Sequence, residues 1–221
     1  MKIEKGSLDM KKTVTNSGNF IAFEGIDGSG KSTQIKLLMK RLKSMGVNCY
    51  ETKEPTDSPI GSLIHQIMTG RILTDNKVVA ALFVADRLDH LLNKVDGIEQ
   101  KIKNGVSVIS DRYYFSSYAY HSVDMPMDWV IEANSQSALI LRPTVTIFID
   151  VDPDIALERI KTDRCRSELF ETRDRLVRVR QNYLASFEKL AFDEKVIIIN
   201  GNRSEDEIEI DIWNQLEEYF K

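Results

Sequence analysis

Three glycines, two serines and a lysine fall within eight residues, Gly25-Ile26-Asp27-Gly28-Ser29-Gly30-Lys31-Ser32. The spacing satisfies G-x-x-x-x-G-K-[ST] at every defined position. In this pattern small residues let the backbone curl, and successive N–H groups converge on phosphate oxygens at the positive end of a helix. In such a loop Lys31 reaches the β- and γ-phosphates of a nucleotide and the Ser32 hydroxyl holds Mg2+. The alternative, a glycine-rich turn with a chance lysine, needs the flanking pattern to be accidental. Here the apolar run Phe20-Ile21-Ala22-Phe23 precedes the loop as a buried-type strand, and a helical pattern follows it.

A second set of residues fits the same chemistry. Asp111-Arg112-Tyr113 ends the apolar run Val106-Ser107-Val108-Ile109-Ser110. An aspartate at a strand end beside a phosphate loop suits magnesium or its waters, and Arg112 is a bidentate phosphate donor charged at any working pH. The same two side chains could instead pair with each other. Phe83 and Arg87, four residues apart, share one side of a helix and could stack on and hydrogen-bond a flat ring. The competing reading makes Phe83 core and Arg87 a surface partner of Asp86 or Asp89. Arg159, Arg164, Arg166, Arg173 and Arg175 fit either a lid that closes guanidinium groups over phosphates or a helix surface laced with ion pairs.

These groups require elements that bring them to one edge. Ile35, Leu38, Met39, Leu42 and Met45 mark one face of a helix closed by Gly46, and residues 47–52 form a second strand, which together with the first strand makes a βαβ unit. Pro55 and Pro59 stiffen the loop Lys53-Glu54-Pro55-Thr56-Asp57-Ser58 beyond that strand, at the end where open parallel sheets bind ligands. A short helix follows to about Gly70, then a long one over 77–95 with the apolar stripe Val78, Ala81, Leu82, Ala85, Leu88 and Leu92. Within its end, Asn93-Lys94-Val95-Asp96 spells N-K-x-D but terminates a helix rather than a strand, and is set aside as chance. Strands at 145–150 and 196–199 and a last amphipathic helix complete the pattern.

The totals are consistent with one domain. The chain has 221 residues, 30 Lys plus Arg and 34 Asp plus Glu, for a net charge of −4. That balance predicts no nucleic-acid partner, and no stretch approaches the roughly 20 apolar residues of a membrane span. Cys49 and Cys165 have no metal-ligand spacing and read as reduced thiols of a cytoplasmic protein. Residues 1–18 read as a flexible leader, and 19–221 as a single phosphate-loop domain with a lid at about 160–172.

The order of these pieces resembles the thymidylate kinases. The resemblance rests on the phosphate loop with Asp27, Lys53-Glu54-Pro55-Thr56, Leu82-Phe83-x-x-Asp86-Arg87, Asp111-Arg112-Tyr113 with Ser116-Ser117-x-Ala119-Tyr120, Arg142-Pro143 and the arginine-bearing Phe170-Glu171 segment. It covers residue 19 to the C-terminus. It implies a three-layer α/β/α sandwich with a five-stranded parallel sheet in the order 2-3-1-4-5, and transfer of the γ-phosphoryl of ATP to dTMP with Mg2+; the alternatives are a kinase of another nucleoside monophosphate or of a deoxynucleoside, and a non-catalytic nucleotide-binding protein.

 By that resemblance Phe83 stacks on thymine, Arg87 bonds its carbonyl edge, Ser117 helps read the other edge, and Ser116 is a further substrate-binding residue. Tyr120 crowds the sugar 2′ position and Asp27 takes the 3′-hydroxyl. Arg112 and the Lys53-Glu54-Pro55 loop hold the acceptor phosphate, and Arg159 stacks on adenine. A homodimer is implied as well. Position 53 is lysine where many relatives have arginine, and His121 stands where glutamine is common. The phosphate loop has no arginine between Asp27 and Lys31, which leaves Arg164 or Arg166 of the lid as the transition-state arginine.

Overall fold

The computed structural model describes residues 17–162 and 172–221. Five parallel strands form one sheet in the order β2-β3-β1-β4-β5, the order implied by the resemblance. They are β1 (Phe20–Glu24), β2 (Cys49–Lys53), β3 (Ser107–Asp111), β4 (Val145–Asp150) and β5 (Val196–Asn200). Every residue of β1 is buried, as are all but the last residues of β3 and β4. Strands that hide both alternating faces need helices on both sides of the sheet, which is the three-layer arrangement.

The βαβ unit closes through α1 (Lys31–Ser44), whose Ile35, Leu38, Met39 and Leu42 are buried as the spacing predicts, while Met45 lies beyond the helix and is half exposed. Ser58 caps α2 (Pro59–Met68), accepting from Gly61 N at 3.3 Å with proline at the first helical position. The long helix α3 (Asn76–Leu92) stops three residues short of the expected end. Its faces are also reversed. Val78 and Leu92 of the apolar stripe are about half exposed, while Asp86 and Arg87 are 1 % exposed. Buried charges on a helix are tolerable only with partners, and both have them.

The rest of the chain adds α4 (Ile98–Lys103), α5 (Tyr114–His121), α6 (Met127–Ala133), α7 (Ser135–Ile140), α8 (Pro153–Thr162), α9 (Arg173–Lys189) and α10 (Glu205–Leu216). Of the leader expected over 1–18, residues 17 and 18 are described, and Gly18 N donates to Ile102 O at 2.9 Å. Gly18 also lies where a Cβ would meet Val106 O at 2.1 Å, so this end of the leader is packed against the domain. Residues 163–171 of the expected lid, with Arg164 and Arg166, lie outside the described residues. Among those described, no helix is long and apolar enough to cross a membrane.

Candidate active site

The carboxyl ends of β1, β2 and β3 open on one cleft of about 1710 Å³, larger than the 300–1,000 Å³ typical of a site for one small molecule. The phosphate loop forms part of its wall. Gly28 has φ +78°, and a Cβ there would meet Ala156 O at 2.4 Å, so only glycine fits this turn. Lys31 is buried, and its Nζ donates to Gly25 O at 3.0 Å and Ile26 O at 3.1 Å. Burial and the Arg112 charge lower its pKa to about 8, against the pull of Asp111, Asp27 and Glu24.

The loop meets β3 through Ser32, whose hydroxyl donates to Asp111 Oδ2 at 2.8 Å. Asp111 Oδ1 is buried without a partner. A hydroxyl beside a carboxylate with an open oxygen suits a hard divalent cation that takes its remaining ligands from phosphates and water. Among the described residues no group of three or more His, Cys, Asp or Glu forms a metal cage, so this donor set fits Mg2+ carried with a nucleotide.

Arg112 follows directly, in a left-handed conformation with φ +76°. Its N–H donates to Phe23 O at 2.9 Å and Ser110 Oγ donates to its carbonyl at 2.7 Å, so the strained residue is held from both sides. The guanidinium pairs with Asp27, donates to Ser116 Oγ at 2.9 Å, and lies 4.9 Å from the centre of the Tyr120 ring. Tyr120 OH in turn accepts from Asp27 N at 3.1 Å. Burial alone would raise the Asp27 pKa; the Arg112 and Lys31 charges outweigh it and hold the carboxyl below its usual value.

The loop after β2 is tied to α3. Asp86 accepts from Thr56 N at 2.8 Å, Thr56 Oγ1 at 2.6 Å and Ser58 Oγ at 3.1 Å. Glu54, in a cis peptide with Pro55, accepts from Arg87 Nε at 2.8 Å, and its other oxygen lies 3.1 Å from His90 Nδ1. Arg87 also donates to Ser117 Oγ at 3.1 Å, to Tyr113 O at 3.2 Å and to Asn134 Oδ1. Neither partner proposed for it on the surface reading, Asp86 or Asp89, is the one it uses. Phe83 is half-buried, edge-on to His121 at 5.1 Å between ring centres. Lys53 Nζ lies 3.1 Å from Asp57.

On the other side of the cleft Arg159 donates to Gly201 O at 3.0 Å beside Arg203 and Ser204. The cleft therefore joins Asp27–Thr33, Lys53–Pro55, Asp111, Arg112 and Arg159, whereas Phe83, Arg87, Ser116, Ser117 and Tyr120 stand behind its described wall. Sequence reasoning missed Glu24, Asn134 and Tyr183, which support this wall. Only Glu24 carried a signal, as a lone charge ending an apolar strand.

The thymidylate kinase family model matches residues 23–212, from the end of β1 into α10. The chain belongs to the thymidylate kinase family. It is 37 % identical over 197 residues to a protein of Methanocaldococcus jannaschii named "Probable thymidylate kinase", covering 89 % of this chain and 95 % of that one. A protein of the same name from Pyrobaculum aerophilum is 40 % identical over 194 residues, covering 87 % and 93 %. Membership makes this an ATP-dependent phosphotransferase, and places the phosphate loop, the Lys53–Ser58 loop and the Asp111–Arg112 turn all inside the matched span.

Proposed function

We propose that the protein transfers the γ-phosphoryl of ATP to dTMP, giving dTDP and ADP, in the cytoplasm. The observation that carries this is the convergence of Lys31, the Ser32–Asp111 pair and Arg112 on one cleft large enough for two nucleotides. An acceptor phosphate monoester is already anionic near neutral pH, so no general base is required. Catalysis then reduces to aligning two nucleotides and neutralising their repelling oxygens.

In this reading Gly25–Thr33 bind the ATP phosphates and Arg159 covers adenine. Ser32 and Asp111 would hold Mg2+, which supplies charge neutralisation at the phosphates. Lys31 and Arg112 act on the transferring and accepting phosphates, with Arg164 or Arg166 supplying the further guanidinium. Lys53, Glu54 and Pro55 shape the acceptor side, and Lys53 offers a point charge where arginine would give a bidentate contact. Phe83, Arg87, Ser116, Ser117 and Tyr120 read the base and sugar, and Asp27 the 3′-hydroxyl. Because Arg87 is already held by Glu54, Ser117, Asn134 and Tyr113, a base carbonyl reaches it by exchanging for one of those acceptors.

The exposed side of α3, with Val78 and Leu92, and Leu73 at 91 % exposure, supports a homodimer through α2 and α3. A monomeric mass in solution would count against that assembly. The activity is tested by ADP formation with ATP, magnesium and dTMP, dUMP, CMP, AMP or thymidine in turn. Preference for dTMP is expected. Preference for another monophosphate would keep the phosphate machinery and overturn the base assignment, and no turnover with any acceptor would favour a nucleotide-binding protein without catalysis.

A further inference from the structure

Glu24, the last residue of β1, is 0 % exposed and is not part of the phosphate machinery above. Its carboxylate accepts from Tyr113 N at 2.9 Å and Ser116 N at 3.1 Å through one oxygen, and from Ser116 Oγ at 2.6 Å and Tyr183 OH at 2.9 Å through the other. All of these donors adjoin Arg112. Tyr113 N is the peptide group following its left-handed residue, and the Ser116 and Tyr183 hydroxyls accept from its guanidinium at 2.9 and 3.4 Å. Each hydroxyl thus takes a proton contact from Arg112 and passes its own to Glu24. Burial raises the Glu24 pKa, opposed by the Ser116 hydrogen bond and the Arg112 charge.

We propose that Glu24 is a positioning residue that fixes the backbone of Arg112 and, through Ser116 and Tyr183, aims its guanidinium at the acceptor phosphate. The inference rests on the reading of Arg112 as the acceptor-phosphate arginine. A left-handed non-glycine residue persists only where its surroundings over-determine it, and the Glu24 carboxylate supplies the bond on the C-terminal side of that residue. Its hydrogen bonds do not reach Lys31 or Ser32; only its charge acts on Lys31, and Tyr183→Phe leaves that charge in place.

The test is a double-mutant cycle between Glu24 and Arg112, with Tyr183→Phe as a gentler substitution that removes one hydroxyl of the relay. Glu24→Gln keeps the volume but turns an NH2 group toward donors, leaving at least one of them unpaired. It is expected to lower kcat/KM for dTMP about 100-fold with a much smaller change in KM for ATP, which reflects the charge lost near Lys31, and to cost less than about threefold when Arg112 is already alanine. Tyr183→Phe should show the same pattern with a smaller loss. Equal losses in both backgrounds, or equal shifts in the KM of ATP and of dTMP, would make Glu24 a structural residue and overturn the proposal. The cycle is also read as dTMP affinity by calorimetry. If the wild-type protein turned over no acceptor, the kinase reading would fail, yet the affinity cycle would still decide whether Glu24 acts through Arg112.

Discussion

Ser32 Oγ donates to Asp111 Oδ2 at 2.8 Å, which leaves Asp111 Oδ1 buried with an open lone pair at the junction of α1 and β3. An unpaired buried carboxylate oxygen is costly, and a cation or its bound water would satisfy it. Asp111→Asn preserves the shape and removes the charge. We expect it to raise the magnesium concentration for half-maximal ADP formation by about tenfold or more, as typical for losing a group that supports a metal site. A magnesium titration at fixed ATP checks this, and an unchanged midpoint would remove Asp111 from the metal site.

Asp86 is the anchor of the loop beyond β2. It accepts three hydrogen bonds from Thr56 and Ser58 while 1 % exposed, so Asp86→Ala strands three donors at once. Hydrogen bonds to a charged group contribute about 1.5–3 kcal/mol each, and water entering the truncated site recovers part of that, so a loss of about 3 kcal/mol is expected. Urea unfolding measures it. In kinetics the KM for dTMP should rise while that for ATP holds, because the stranded loop is the one beside the proposed acceptor phosphate.

Much of this was legible because it is local. The phosphate loop announces itself through glycines at fixed steps, and the buried strands through short apolar runs, so the βαβ unit followed, whereas the strand order came from the family resemblance alone. What could not be read depends on partners distant in the chain. The charged side of α3 faces inward because Arg87 meets Glu54 and Asn134, 33 and 47 residues away. A periodic apolar stripe could not reveal that, and suggested the opposite face. The left-handed Arg112 has no local signature either, since glycine is absent and the bonds that hold it come from Phe23, Ser110 and Glu24.

Lys31 should take up a proton when a nucleotide binds at mildly alkaline pH. Its pKa is lowered to about 8 by burial and by Arg112, and anionic phosphates would raise it again. At pH 8.5 a lysine with that pKa is mostly neutral, so binding is expected to take up about 0.7 proton, against about 0.1 at pH 7. Calorimetry of ATP binding in buffers of different ionisation enthalpy measures the uptake, and Lys31→Met should abolish its pH dependence. Equal uptake at the two pH values would place the proton elsewhere.

His121 makes acid stability a second readout of the site. It packs edge-on against Phe83, with the positive charges of Arg87 and Arg175 facing it, and burial followed by those two charges lowers its pKa to about 4. In the unfolded chain the value returns to 6.5. The unfolded state therefore binds more protons between those values, so stability present above pH 6.5 is lost as pH falls toward 4. From the two values the loss at pH 5 relative to pH 7 is about 2 kcal/mol. His121→Gln cannot titrate in this range. Urea unfolding at both pH values should therefore show a difference for the wild-type protein that is smaller by about that amount in the variant. The same pH dependence in both proteins would mean that the imidazole is protonated in the folded state, and that the ring beside Phe83 carries a charge which a stacked base would have to tolerate.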